Sequence, residues 1–464
     1  MDTTAKQGLE PHASADNSGI FGHPRGLSTL FFTEFWERFS YYGMRSILIL
    51  YMTASVANGG LGFDKPRAAT LYGSYTMWVY LTGLPGGLTA DRLLGARLAV
   101  LLGGIVIIFG HVAMVFHSMP FFYGGLTLIA IGTGLLKPNI STMVGSLYNE
   151  NDPRRDSGFS IFYMGINIGA VLAPLTVGYL AQHESFKRFL AGNGFDPAKS
   201  WHWGFGAAAV GMTAGLIVYL LNRRRLGNVG RRTTSQQKKE KLTLSRQPLT
   251  RSDWKRIGAI FVFFFFTILF WAAYEQKGAS LNLFARDLVR TEVFGRPFPS
   301  SWLQSCTPAF VIMLAPLFSI LWVRLGTRQP SSPVKFTLGL VFIGLAYCLL
   351  VPAAWLTGQG RISPLWLVGL YFLEVVGEMC LSPVGLSTVS KLAPVKLLGI
   401  MMGVWFLAAA FGNKLAGWLS TFFVADNPMQ LVKLYGGIAL GLLVSAGILA
   451  LLTPKVKKLM GAVN

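Results

Sequence analysis

Long apolar runs alternate with short polar breaks along the whole chain. Residues 257–271, 98–115 and 365–376 are nearly unbroken stretches of aliphatic and aromatic side chains. With their flanks, such runs reach the ~20 residues that a helix needs to cross a bilayer. Twelve segments of this kind can be read, with cores at 27–56, 68–90, 97–116, 120–147, 158–182, 202–222, 256–284, 300–323, 335–357, 364–390, 397–423 and 431–453. Several run past the length of an untilted span, which predicts tilt or breaks within them. The breaks between segments are short except at residues 223–255. The pattern predicts an all-α integral membrane protein.

Composition sharpens this picture. Hydrophobic residues make up 52% of the 464 and charged residues only 13%, about half the share of an average soluble domain. The net charge of +21 suggests a nucleic-acid binder at first sight. The basic residues, however, cluster between apolar runs, as in the cytoplasmic loops of membrane proteins. With the N-terminus inside, the alternating loops hold 26 Lys and Arg on the inner side and 10 on the outer. Setting aside the twelve in the middle loop leaves 14 against 10, and both termini are expected to be cytoplasmic. The first 26 residues hold no apolar core, so no signal peptide is read there and the first span is expected to target the chain. Cys306, Cys348 and Cys380 sit inside apolar segments and read as small core residues. No disulfide framework, metal-ligand spacing or catalytic triad pattern is present, so no cofactor or metal is expected and an enzyme is disfavoured.

The basic stretch 223–255 divides the chain into two sets of six spans, with a solvated linker positioned to touch anionic lipid. The expected organisation is a tail at 1–26, a six-helix bundle at 27–222, the linker at 223–255, a second bundle at 256–454 and a tail at 455–464. The two sets echo each other. Asp91-Arg92-Leu93-Leu94-Gly95-Ala96-Arg97 follows span 2, and Val323-Arg324-Leu325-Gly326-Thr327-Arg328 follows span 8. Each follows a Pro-containing helix and ends on Gly-x-Arg. Duplicated halves around a central cavity are a transporter architecture. A cysteine placed at Ser235 is expected to be labelled from the cytoplasmic side only; labelling from outside intact cells would reverse the orientation.

The functional signal is the set of ionisable residues inside the spans. A charge at the middle of a membrane helix costs about 2.5–3.5 kcal/mol on the most lenient scale. Span 1 carries Glu34, Glu37, Arg38 and Arg45, with Tyr41 and Tyr42 between them. Glu34, Arg38, Tyr41 and Arg45 fall at i, i+4, i+7 and i+11, one stripe on one helix face. Lys137 lies in span 4, Asn167 in span 5, Glu275, Gln276 and Lys277 in span 7, Glu374 and Glu378 in span 10, and Lys414 in span 11. For Glu374 and Lys414, which have no motif around them, a plain internal ion pair is an equal reading. His111 and His117 read as residues of the outer interface. Acids beside bases in a wet cavity suit proton coupling, and bases can also hold a substrate carboxylate through charge-assisted hydrogen bonds. A cavity with acids on one wall and bases on another suits a zwitterion.

These residues stand in recognisable strings. Glu34-Phe35-Trp36-Glu37-Arg38-Phe39-Ser40-Tyr41-Tyr42-Gly43 resembles the first-helix signature of the proton-dependent oligopeptide transporters, a branch of the major facilitator superfamily. Gly86-Gly87-Leu88-Thr89-Ala90-Asp91-Arg92, Phe162-Tyr163-Met164-Gly165-Ile166-Asn167-Ile168-Gly169, Phe270-Trp271-Ala272-Ala273-Tyr274-Glu275-Gln276, and Gly377-Glu378 with Pro383 resemble its later motifs, in order. The resemblance implies two six-helix halves around a central cavity and proton-coupled uptake of di- and tripeptides by alternating access. Glu34, Glu37, Arg38 and Glu275 would then couple protons. Arg45 would pair with Glu275 as an outer gate, and Arg45 and Lys137 would hold the peptide carboxylate. Glu378 would hold the amino terminus. Tyr41, Tyr42, Tyr80 and Asn167 would contact the backbone, Trp271 and Trp405 would line side-chain pockets, and Gln304 and Thr307 would contribute from span 8.

Three features depart from the family's pattern. Span 8 reads Gln304-Ser305-Cys306-Thr307-Pro308, with Thr307 where relatives commonly carry Asn. Lys277 follows Glu275-Gln276 and adds a cation that is expected to hold Glu275 ionised or to compete with Arg45 for it. The polar 223–255 stretch cannot supply the two extra helices of many bacterial members. The partners implied are peptides, protons and membrane lipid, with no nucleic acid, and the functional unit is expected to be a monomer in a bacterial inner membrane. The alternative is a transporter of another small anion or zwitterion on the same fold, such as nitrate, an amino-acid-like compound or a drug-like one. Glu378 argues against nitrate, which a carboxylate repels.

Overall fold

A computed structural model of the chain describes residues 18–149, 152–231, 249–394 and 397–461. Twelve long helices account for most of them: α1 Arg25–Thr53, α2 Lys65–Leu81, α3 Ala96–Ala113, α4 Met119–Gly145, α5 Arg155–Gln182, α6 Ser200–Asn222, α7 Arg251–Tyr274, α8 Cys306–Leu325, α9 Ser332–Leu356, α10 Leu365–Leu392, α11 Leu398–Ser420 and α12 Pro428–Met460. Each falls on one of the predicted segments. Local chemistry sets several starts. Thr250 and Asp253 form a capping box ahead of α7, and the Asp64 side chain accepts from the Arg67 amide ahead of α2. Both satisfy amides that the first helical turn leaves free.

Ten of the helices are long and apolar enough to cross a membrane. The two outside that measure have physical reasons. Helix α1 carries its four charges, and α2 stops after Leu81 before resuming at Gly83–Thr89. That break is the interruption expected of an overlong span. Helix α10, by contrast, runs through Ser382-Pro383 without stopping. Helix α7 continues beyond Tyr274 as a 3-10 turn, Glu275–Gly278, and a further helix, Ser280–Leu288. A nine-residue helix, Glu184–Gly192, and a small hairpin, Glu292–Val293 with Arg296–Pro297, were not anticipated from the pattern.

Apolar side chains face outward around the bundle, among them Val210, Val323 and Leu451. A water-facing surface of that kind would be unfavourable, whereas lipid accepts it and helices satisfy their own backbone there. In the first half α1 packs on α5 and α6, and α3 on α4; in the second, α9 packs on α10 and α12. The halves meet along α2 with α11 and α5 with α8. Where α2 crosses α11 the backbones nearly touch: a Cβ on Gly73 would lie 2.6 Å from the Gly417 Cα. Small residues permit this approach, which is how helices pack in lipid.

The two ends of the bundle differ. At the end where α1 begins, Arg154 donates to Gly22 O (2.7 Å) and Arg97 to Gly227 O (2.6 Å). Arg154 also donates to Asp152 (2.7 Å), and these hydrogen bonds hold the pKa of that carboxyl down at about 2. We call this the terminal face. The glycine of the Gly-x-Arg echo takes a positive φ in both halves, 77° at Gly95 and 49° at Gly326, a region that favours glycine, but the turns differ, with ψ at 152° and -119°. At the far face the two halves are laced together. Asp287 pairs with Lys65 (3.0 Å), Arg286 donates to Thr53 (2.6 Å), Ser301 to Gln182 (2.7 Å), and Trp302 to Leu175 O (3.0 Å).

Some single-residue expectations need correcting. Cys380 is buried, but Cys348 lies on an exposed face of α9 and Cys306 is half-buried. An apolar helix shows one face to lipid, so hydropathy alone does not place a cysteine in the core. His111 is fully buried and bonded to Ser40 at 2.6 Å, not at an interface. Ser235 and most of the middle loop lie outside the described residues.

Candidate functional site

A cavity of about 450 Å³ lies between the halves, within the usual range for small-molecule sites. Its walls come from α1, α2, α4 and α5 on one side and from α7, α8, α10 and α11 on the other. The sequence-predicted residues Arg38, Tyr42, Arg45, Tyr80, Lys137, Asn167, Trp271, Glu275, Gln304, Thr307, Glu378 and Trp405 all reach it. Residues that are distant in sequence converge because four helices of each half line the one cavity.

Helix α1 supplies the deepest charges. Arg38 is ion-paired with Glu37 and lies 3.3 Å from Glu34, all three about 1% exposed. Only Arg38 reaches the cavity, and the two acids stand behind it. One oxygen of Glu34 accepts no hydrogen bond among the described residues. Tyr41 is not on the wall. It is buried between the guanidinium groups of Arg38 (5.1 Å) and Arg45 (5.9 Å), with no partner for its hydroxyl among the described residues. Two arginines and two glutamates on one helix are tolerable in lipid only when paired in this way.

The ceiling of the cavity, toward the far face, is a bond between the halves. Arg45 of α1 pairs with Glu275 beyond α7, and its Nε donates to Tyr72 at 2.6 Å. Gln304 and Asn282 both donate to Ser46 O, at 3.1 and 2.8 Å. From that ceiling the walls run toward the terminal face as far as Leu386 and Phe406. The protein is therefore closed at its far end.

Of the charged groups on the cavity wall, the first half presents bases and the second presents both acids and a base. On the first, Lys137 stands over the Tyr80 ring at 5.0 Å and makes no ion pair among the described residues. On the second, Glu378 accepts from the Tyr274 hydroxyl. Asn167 donates to Tyr163 O of its own helix (2.9 Å), and Thr307 Oγ1 is buried without a partner among the described residues. Lys277 does not displace Arg45 from Glu275. Its ammonium sits 3.4 Å from the Tyr274 ring centre, because Glu275 is already engaged with Arg45. Lys414, outside the cavity, bonds Ser74 across the α2–α11 contact (2.7 Å). Among the described residues, no cluster of His, Cys, Asp and Glu is placed to hold a metal.

Residues 97–245 and 231–435 match the model of the POT family. An uncharacterized transporter of Bacillus subtilis, YclF, is 41% identical over 97% of this chain and 98% of its own length. The chain belongs to the POT family. Other POT relatives include a di-/tripeptide transporter of Lactococcus lactis subsp. cremoris, 36% identical over 96% of this chain and 98% of that protein. A crystal structure of a mutant peptide transporter POT in complex with alafosfalin superposes with a TM-score of 0.86 at 39% identity, covering 97% of this chain and 98% of that one. A POT transporter solved with 5-aminolevulinic acid is 33% identical, with a TM-score of 0.84, covering 95% of this chain and 98% of that one. The fold is accordingly that of the major facilitator superfamily, two six-helix halves around a central cavity, and the POT chain here is a transporter, not an enzyme.

Several wall residues of this POT cavity carry no role in the sequence reading. Tyr163 and Tyr274 lie inside quoted motifs, yet they appear there only as aromatics in apolar spans. Their signal is the hydroxyl: a tyrosine in a span needs a polar partner or a wet surface. Pro174, Leu386 and Phe406 also line the cavity, and nothing in their sequence context separates them from lipid-facing neighbours.

Proposed function

We propose that this protein carries di- and tripeptides together with protons into the cell by alternating access. The observation that carries the reading is the polarity of the cavity. A carboxylate, Glu378, stands on one half and an unpaired ammonium, Lys137, on the other. A zwitterionic peptide stretched between them satisfies both. The names of relatives as di-/tripeptide transporters and dipeptide and tripeptide permeases support the same substrate class.

In this reading Glu378 takes the amino terminus, and Lys137, with Arg45 when released from Glu275, takes the carboxylate. Tyr42, Tyr80, Asn167, Gln304 and Thr307 offer polar contacts, and Trp271 and Trp405 bound the side-chain pockets. Tyr41 acts indirectly, by holding both arginines in place. Glu34, Glu37, Arg38 and Glu275 are the proton-coupling set: protonating an acid of such a pair releases its arginine, and a change in pairing becomes a change in shape. The moving units are residues 27–222 and 256–454, the terminal face is cytoplasmic, and the protein works as a monomer in a bacterial inner membrane without a cofactor. The closed far end corresponds to the outer gate.

The test is uptake of labelled dialanine into proteoliposomes. Accumulation above the external level with the outside acidic, and collapse on dissipating the pH gradient, are expected. Downhill uptake indifferent to that gradient would refute proton coupling. Transport of free amino-acid-like zwitterions in place of dialanine would favour the alternative substrate class, the one suggested by the relative solved with 5-aminolevulinic acid.

A further inference from the structure

A second pocket opens at the terminal face of the second half, beside the cavity described above. It encloses about 780 Å³ between α8, α9 and α10, and the end of α12 reaches it. Packing along α8 explains the space. Thr307 and Val311, in its first two turns, are the buried residues of that helix. Past them α8 turns Leu317, Ile320 and Val323 outward and keeps Phe318 and Trp322 on the pocket wall. The half of α8 nearest the terminal face therefore stands off its neighbours.

The walls change character with depth. Ala315, Phe318 and Met379 line the inner part, whereas Lys335, Lys391 and Lys457 come from helix ends at the terminal face. Among the described residues no Asp or Glu lines this pocket, and none of the three lysines makes an ion pair. The sequence offers them few acids. From Val293 onward the chain holds Glu374, Glu378 and Asp426. The first two lie at mid-depth, and the third lies in the α11–α12 connection at the far face.

A lysine at the end of a span ordinarily extends to water. Lys335 is instead 8% exposed, with its ammonium 4.2 Å from the Trp322 ring centre and donating to Gln329 at 2.8 Å. Ser331, also on the wall, precedes α9 without capping it, and its hydroxyl is buried with no partner among the described residues. A helix start favours an anion. Here a buried cation and an unsatisfied hydroxyl line the same space as that helix start. Cations at the membrane surface above an apolar floor complement a molecule with an anion at one end and hydrocarbon at the other.

We propose that this pocket binds an anionic phospholipid of the leaflet at the terminal face. Its phosphate lies among Lys335, Lys391 and Lys457, and its acyl chains run against Phe318 and Met379. Basic pockets between spans recognise lipid head groups through the same pairing of charges. Tyr163 and Pro383 line both this pocket and the central cavity, so the bound lipid stands against a wall of the transport path. The inference does not depend on which substrate the central cavity takes.

The test titrates the full-length protein in detergent with dioleoylphosphatidylglycerol or dioleoylphosphatidylcholine and counts bound lipid by native mass spectrometry. Phosphatidylglycerol is expected to bind more tightly by roughly twentyfold or more, at about fivefold for each lysine that meets its charge. Lys391→Gln/Lys457→Gln changes two exposed side chains and should bring that ratio close to one. Lys335→Gln should lower it about fivefold, and Lys335→Arg should retain it. Lys455→Gln/Lys458→Gln removes the same charge from exposed positions of α12 outside the pocket and should leave the ratio unchanged. Equal affinity for the two lipids would overturn the site. So would a preference that survives in Lys391→Gln/Lys457→Gln, or an equal loss in Lys455→Gln/Lys458→Gln. Glycerol 3-phosphate that competes as well as the lipid itself would make a free phosphate the occupant, and the lipid assignment would fall.

Discussion

Replacing Glu275 by glutamine is expected to abolish most gradient-driven accumulation of dialanine while leaving counterflow largely in place. Glu275 is the only acid within ion-pair distance of Arg45 among the described residues, and both side chains are about 4% exposed. Removing one partner of a buried pair strands the other charge, a loss of about 3–5 kcal/mol. With this pair proposed as the gate, the loss is expected to fall on the form closed at the far end, where the two residues meet. A shift of even 1.4 kcal/mol changes the balance of the two forms about tenfold. The protein should then rest open at the far end, and protonation has no bond left to release. Counterflow needs exchange between loaded forms only, and so survives better. Lys277 does not rescue the variant, because it sits on Tyr274 and not on the acid. Gradient-driven uptake equal to wild type in Glu275→Gln would end the assignment of this pair as the gate.

Glu378→Gln should weaken dialanine binding by about ten- to a hundredfold, the worth of one charge-assisted hydrogen bond of roughly 1.5–3 kcal/mol. A peptide ammonium taken out of water requires a charged partner, and Glu378 is an acid of the second half that lines the cavity and makes no ion pair among the described residues, whereas Glu275 is engaged with Arg45. Its bond from Tyr274 fixes the carboxylate without neutralising it, and glutamine can keep that bond through its amide oxygen. N-acetyl-dialanine, which lacks the ammonium, should bind the wild type poorly and be nearly indifferent to the change. Glu374→Gln should matter less to affinity, because Glu374 is walled off from the cavity. Equal losses for free and acetylated peptides would mean that Glu378 holds the fold together and does not read the amino terminus.

Much of the fold was legible because lipid imposes one rule on every span, and apolar length reports it directly. The exceptions follow from what hydropathy cannot see. Helix α1 is recognisable by motif and by stripe, not by apolarity, since its charges are hidden among themselves. Helix α10 runs unbroken through Pro383, since neighbouring helices can hold a proline-bearing turn in place, which the sequence of one span does not reveal. The site was legible wherever charge was involved: an ionisable residue in a span must face a partner or a cavity. It was illegible for Tyr41, where the difference between lining the cavity and standing behind it is a fraction of a helical turn. The position of Lys277 was also beyond reach, because its choice of Tyr274 over Glu275 depends on Arg45 arriving from the other half of the chain.

The near-contact of Gly73 with Gly417 has a mechanical consequence. Where two helices touch backbone to backbone, they can rock on each other with little repacking at that point. The crossing is placed to act as a fulcrum, and Gly73 adjoins Tyr72, the partner of Arg45. From Gly73 to Thr89 the chain runs sixteen residues toward the terminal face, a lever of about 24 Å at 1.5 Å per residue. Each ~10° of roll then moves the mouth by about 4 Å while hardly disturbing the pivot. A bearing so placed lets one short ionic bond hold or free the long arm of the molecule.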